Sequence, residues 1–131
     1  VSVHVPLTDE SRGLFEAETF AAMKPGSIFI NTARGGLVDQ QALIEAIDRG
    51  HVRSAGLDVT DPEPLPSGHL LLDHPDVLVT PHVGSGTHEG KRRIFLTAVG
   101  EVVAVLRGER PDHMVNPEVW DRRHTGHLGS A

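Results

Sequence analysis

Four side chains in this sequence have types and spacing suited to joint chemistry: Arg34, Asp58, Glu63 and His82. Arg34 is a permanent planar cation whose fork matches a carboxylate bidentately. His82 can give or take a proton near neutral pH. Glu63, brought within reach of His82, would orient the imidazole and stabilise its protonated form. An anion clamp, a proton donor and an orienting acid suit the reduction of a 2-keto acid, given a source of hydride. Each residue also has a plainer reading. Arg34 before Gly35-Gly36 reads as a solvated turn residue, Asp58 as a loop cap and Glu63 as an exposed acid among prolines. His82 is one of nine histidines. Their joint occurrence at the ends of strand-like runs favours the chemical reading.

Those runs set the architecture. Val1 to Val5 alternates with period two and stops at Pro6, which predicts a strand. Phe15, Thr19, Phe20 and Met23 lie at helical spacing, ended by Pro25-Gly26. Ser27 to Asn31 is apolar on both faces, as in a buried parallel strand. Asp39 caps a helix through Leu43, Ile44 and Ile47, stopped by Gly50. Ser54 to Val59 is a third strand, in which Gly56 marks a close approach. A long proline-rich loop from Thr60 to Asp76 is too long for an ordinary connection and reads as functional. Val77 to Thr80 is a fourth strand. Ser85-Gly86-Thr87 opens the longest helix, about His88 to Arg107, with Ile94, Ala98, Val102 and Val105 or Leu106 on one face. Gly108 ends it. Pro111 to Ala131 is a polar tail with Met114, Val115, Val119 and Trp120 as its anchors. This α/β alternation predicts parallel strands, with ligands beyond their carboxyl ends. There Val5-Pro6, Asn31 to Arg34, Asp58 and Pro81-His82 converge on one crevice.

Composition excludes other classes. The chain has 131 residues, enough for one small domain, and is 38% apolar with 14 Gly. A formal net charge of −6 argues against a nucleic-acid partner, which would demand a basic surplus. With no cysteine there is neither a disulfide framework nor a thiolate metal site, in keeping with a reduced, cytoplasmic setting. No apolar run approaches the roughly 18 residues of a membrane span. Gly84-Ser85-Gly86 begins like a dinucleotide fingerprint, but Glu89 stands where its third glycine belongs. Gly90-Lys91 fails as a phosphate loop, because Ser85 and Arg92 replace its first glycine and its hydroxyl residue. The pairs His69/His74, His82/His88 and His124/His127 lack metal-ligand spacing, so no metal is expected.

Three segments resemble the signatures of the D-isomer-specific 2-hydroxyacid dehydrogenases. They are Ile30 to Asp39, Gly56-Leu57-Asp58-Val59 with Pro62-Glu63-Pro64, and Thr80-Pro81-His82-Val83-Gly84-Ser85. Order and separations match, Val115-Asn116-Pro117 is similar to the family's closing motif, and the similarity runs from Val1 to about Trp120. The resemblance implies catalytic roles for three residues. Arg34 would hold the substrate carboxylate, His82 would exchange the proton of the carbonyl oxygen, and Glu63 would support His82. It implies NAD or NADP as cofactor, with Asp58 on the nicotinamide carboxamide. Thr32, Ala33, Arg34, His82, Gly84 and Ser85 would lie around the nicotinamide, and Val5-Pro6 near ribose and pyrophosphate. A small 2-keto or 2-hydroxy acid would be the substrate.

By the same resemblance the fold class is α/β: the second half of a Rossmann-type NAD(P)-binding domain, an incomplete parallel sheet with flanking helices. Residues 1–110 would form that half, and residues 111–131 a tail packing toward a substrate domain. The family's glycine-rich loop after a first strand does not occur in the sequence. The chain is therefore expected to be a C-terminal part, inactive alone, working as a homodimer or with an N-terminal part. Two other readings stay open. One is a nucleotide-sensing or protein-interaction module without catalysis; the other is a degenerate truncated product.

Overall fold

The computed structural model describes residues 1–122; the His124/His127 pair and the rest of the tail lie outside the described residues. Contacts group the chain into two compact units, Val1–Gly84 and a second from Ser85 onward.

The first unit is a four-stranded parallel sheet in the order β1 (Ser2–Val3), β2 (Ser27–Asn31), β3 (Val52–Leu57), β4 (Val77–Val79). Strand and helix alternate: α1 (Ala17–Ala21) joins β1 to β2, α2 (Gln40–Asp48) joins β2 to β3, and α3 (Leu70–Asp73) lies before β4. Period-two alternation puts Phe29 and Asn31 on the inner face of β2, and Ala55 and Leu57 on that of β3. Phe20 of α1 and Leu43, Ile44 and Ile47 of α2 pack against this layer. The rings of Phe15 and Phe20 lie 5.1 and 5.2 Å from Phe29, edge-on, in the aromatic geometry that exceeds plain area burial. Asp39 caps α2, accepting from the backbone N–H groups of Gln41 and Ala42 at 3.0 Å each. Gly50 closes it at φ +72°, a conformation costly for any residue with a Cβ.

Several elements differ from expectation. β1 ends at Val3, because the His4 ring turns back to the Ser2 hydroxyl and Val5 is exposed. Phe15 forms a parallel bridge with Val38 and is no part of α1. β3 begins two residues early, at Val52, and Arg53 is an extra residue opposite the Ser27/Ile28 step, a bulge that keeps both Val52 and Ala55 inward. The long loop contains α3, capped by the His69 ring, which accepts from Leu71 N–H. β2 is not covered on both faces: Ile28 is 40% exposed, and Leu78, on the same outer face of the sheet, is 68% exposed.

In the second unit α4 (His88–Leu106) starts where expected, with the Thr87 hydroxyl accepting from Gly90 N–H at 3.0 Å. None of its residues is buried. Val115, expected as an anchor, is fully exposed. The start of the tail is held instead by Glu101, which accepts from Asp112 N–H at 2.9 Å and pairs with His113 Nδ1 at 2.6 Å. A 3-10 turn spans Pro117–Arg122. Among the described residues no helix is long and apolar enough to cross a membrane.

Candidate functional site

The carboxyl ends of β2, β3 and β4 carry the candidate residues, and each end is shaped by a polar side chain. At the end of β2, Asn31 is 1% exposed. Its amide N–H donates to Arg34 O at 2.8 Å, and its Oδ1 accepts from Ala33 N–H at 3.0 Å. The loop that presents Arg34 is thus folded around one buried amide, whose polar groups could not be left unpaired without cost. Gly35, next along, lies so close to the next loop that a Cβ there would fall 2.0 Å from Thr60 O. This close approach, and no unusual φ, is what requires glycine. It brings the Arg34 loop against the Glu63 loop.

Beyond β3, Asp58 is buried, and its carboxylate accepts three hydrogen bonds. Oδ1 takes the Thr80 hydroxyl at 2.5 Å and Val83 N–H at 2.9 Å; Oδ2 takes Gly84 N–H at 2.7 Å. The Thr80 hydroxyl and the Val83 amide, with lesser help from Gly84 N–H and the nearby His82, hold the Asp58 carboxyl below the usual carboxylate range. Beyond β4, His82 has φ +52°, in the left-handed region. Its Nδ1 lies 2.6 Å from Glu63 Oε1, while Glu63 Oε2 accepts from Thr60 N–H at 3.3 Å. The hydrogen bond from His82, then that from Thr60, keeps the Glu63 carboxyl ionised below its ordinary range. An ionised carboxylate only accepts, so Nδ1 donates to it and the ring's other nitrogen, Nε2, does not take part in this bond.

Asp58, Glu63 and His82 line one cavity of about 450 Å³, walled by Pro64, Leu65, Leu72 and Val79. Arg34 lines a different one of about 580 Å³ with Val5, Pro6, Thr32 and Ala33. The loops that bear Arg34 and Glu63 meet where Gly35 approaches Thr60. Arg34 Nη1 donates to Ala33 O at 2.7 Å, and among the described residues no carboxylate pairs with its guanidinium. Gly84 ends the first unit against Asp58, where a Cβ would fall 2.9 Å from Oδ2; Ser85 begins the second unit, its carbonyl close over Gly90. The loop-shaping parts of Asn31, Thr80 and Gly35 were not read from the sequence. The signal for Asn31 was present: an amide two residues after Phe29 in an alternating strand must point inward.

The donor set fits one end of a nicotinamide dinucleotide. A carboxylate offers about four acceptor positions, and Asp58 uses three, so one remains at Oδ2 for an amide N–H. Val5, Pro6 and Ala33 form an apolar wall of the cavity that Arg34 lines. For a diphosphate the sequence offers no glycine-rich strand–loop–helix.

Residues 1–84 match the family model of the D-isomer specific 2-hydroxyacid dehydrogenase, NAD binding domain. Among curated proteins, glyoxylate/hydroxypyruvate reductase B of Escherichia fergusonii is 46% identical over 119 residues, covering 91% of this chain and 37% of that protein. Among solved structures, a D-lactate dehydrogenase with NAD+ from Lactobacillus jensenii superposes with TM-score 0.81 at 33% identity, over 87% of this chain and 38% of that one. A D-isomer specific 2-hydroxyacid dehydrogenase from Xanthobacter autotrophicus in complex with NADPH and MES gives TM-score 0.73 at 41% identity, over 91% and 48%. The chain thus spans little more than a third of the length of the curated relatives it matches.

Proposed function

The chain belongs to the D-isomer-specific 2-hydroxyacid dehydrogenase family, and from that premise we propose that it supplies the acid–base side of hydride transfer between a 2-hydroxy acid and its 2-keto acid. The observation that carries the reading is the His82–Glu63 contact of 2.6 Å at the carboxyl mouth of a parallel sheet. His82 Nε2 gives its proton to the carbonyl oxygen of the keto acid, or takes it from the hydroxyl in reverse. Glu63 fixes the ring through its contact with Nδ1. Arg34, with no carboxylate partner among the described residues, clamps the substrate carboxylate and polarises the adjacent carbonyl. Val5, Pro6, Thr32, Ala33, Asp58, Gly84 and Ser85 would hold the nicotinamide end of NAD or NADP. The cofactor, when bound, supplies the hydride.

A chimera tests this. The matching third of the Escherichia fergusonii reductase is replaced by this chain, and oxidation of NADH or NADPH is followed with glyoxylate and with hydroxypyruvate. The chimera should turn over, and His82→Ala should slow it by roughly 10²- to 10⁴-fold. An active chimera that is indifferent to His82 would remove the residue from the mechanism.

A further inference from the structure

We propose that Thr80 is a positioning residue for His82, acting through Asp58. Thr80 directly follows β4, and its backbone N–H donates to Leu57 O at 2.8 Å, which fastens this end of β4 to β3 without help from its side chain. The hydroxyl is turned away from that ladder onto Asp58 Oδ1. The same carboxylate grips the two amides that follow His82, those of Val83 and Gly84. On the other side, His82 N–H donates to Thr80 O at 3.0 Å, closing a tight turn over Pro81. His82 is therefore held from both flanks, one through the Thr80 carbonyl and one through the carboxylate that the Thr80 hydroxyl orients. Between these holds its backbone takes the left-handed conformation, and its ring meets a carboxylate borne on the loop after a different strand.

Without the hydroxyl, Oδ1 keeps only Val83 N–H, and the carboxylate is free to turn about its last torsion. The grip on residues 83 and 84 then loosens, and the ring loses its register with Glu63. A Thr80 that served only the sheet would leave the ring unaffected, because the ladder bond belongs to the backbone. The inference rests on the reading of His82 as the proton-transferring group, and its test reads ring geometry without turnover.

The readout is the tautomer of His82 in the 131-residue chain, from long-range ¹H–¹⁵N spectra of the neutral ring. The unaltered chain should favour the Nδ1–H form that Glu63 selects, and Glu63→Gln calibrates its loss. In Thr80→Val the Nδ1–H to Nε2–H ratio should fall roughly tenfold, the weight of one charge-assisted hydrogen bond. The amide signals of Phe29 and Ala55 should stay in place, and Thr80→Ser should keep the native ratio. Three results would overturn the proposal. They are a native ratio in Thr80→Val, a serine variant as impaired as valine, or loss of the sheet signals in both Thr80→Val and Thr80→Ala, which would make Thr80 a fold residue. None of these would touch the assignment of His82, which the chimera decides separately.

Discussion

Gly35→Ala puts the approach of the Arg34 loop to the Glu63 loop under direct test. The new Cβ would sit 2.0 Å from Thr60 O, 2.1 Å from Thr60 C and 2.7 Å from Asp61 N, all backbone atoms that no rotamer change can move aside. Ordinary contact begins near 3.4 Å, so the two loops must part by more than 1 Å. Parting strains the Gln40 amide, which donates to Asp61 O at 2.5 Å, and the turn in which Val38 N–H donates to Gly35 O at 3.0 Å. Losing both costs about 2 kcal/mol, and the overpacked contact about another 2 kcal/mol. Alanine recovers about 0.7 kcal/mol by restricting the unfolded chain. The net loss is about 3 kcal/mol, a fall in melting temperature of roughly 12–24 °C for a unit of this size. Far-ultraviolet circular dichroism on heating measures it. Gly100→Ala is the control: Gly100 lies within α4 with nothing within 4 Å of its missing Cβ, and the exchange should stabilise that helix by about 1 kcal/mol. A Gly35→Ala melting temperature within about 3 °C of the parent would refute the reasoning, since it would mean the loops are not in contact.

Two further outcomes follow from buried or paired polar groups. Asn31→Ala leaves Arg34 O and Ala33 N–H without their partner and should cost about 2 kcal/mol. Trypsin should then cut after Arg34 sooner than after Arg53, which lies within β3; unchanged cleavage order would show that the amide does not shape the loop. The Glu101–His113 pair makes attachment of the tail depend on pH from both sides. Glu101 is held below its ordinary 4.5 by its bond to His113, so its contribution is present above 4.5 and lost as pH falls through the depressed value. His113 is raised above its ordinary 6.5 by Glu101, so its contribution is full below 6.5 and lost as pH rises through the raised value. Protection of the Asp112 amide from exchange should therefore peak between these limits. A monotonic profile across that window would show that the pair does not hold the tail.

Much of the fold was legible because its cause is local. The apolar run Ser27–Asn31 read as a strand, Asp39 stood at a helix start, and Gly50 and Gly108 stood at helix ends. Phe15 misled because its spacing to Thr19 imitates a helical turn, while its actual partner is Val38, distant in sequence. The helix Leu70–Asp73 was hidden by its cap, a histidine ring in place of a short oxygen side chain, among prolines that read as loop. In the site, chemistry showed what Glu63 would do if it reached His82, and the structure supplies the contact at 2.6 Å. The close approach of the Arg34 loop to the Glu63 loop was not legible, because it depends on how two loops meet at Gly35. Asp58 looked like a ligand contact, and its hold on Val83 and Gly84 became visible only with the backbone in place.

The uncovered outer side of the sheet has a thermodynamic consequence. Parallel sheets are ordinarily sheltered on both sides, yet Ile28 and Leu78 face solvent here. Any molecule that settles on them in the folded chain alone adds its binding free energy to stability, about 2.7 kcal/mol when present at a hundred times its dissociation constant. That is nearly the whole effect expected of Gly35→Ala. With such a molecule present, the melting temperature of the first unit would rise with its concentration, so a melting curve would report the binding.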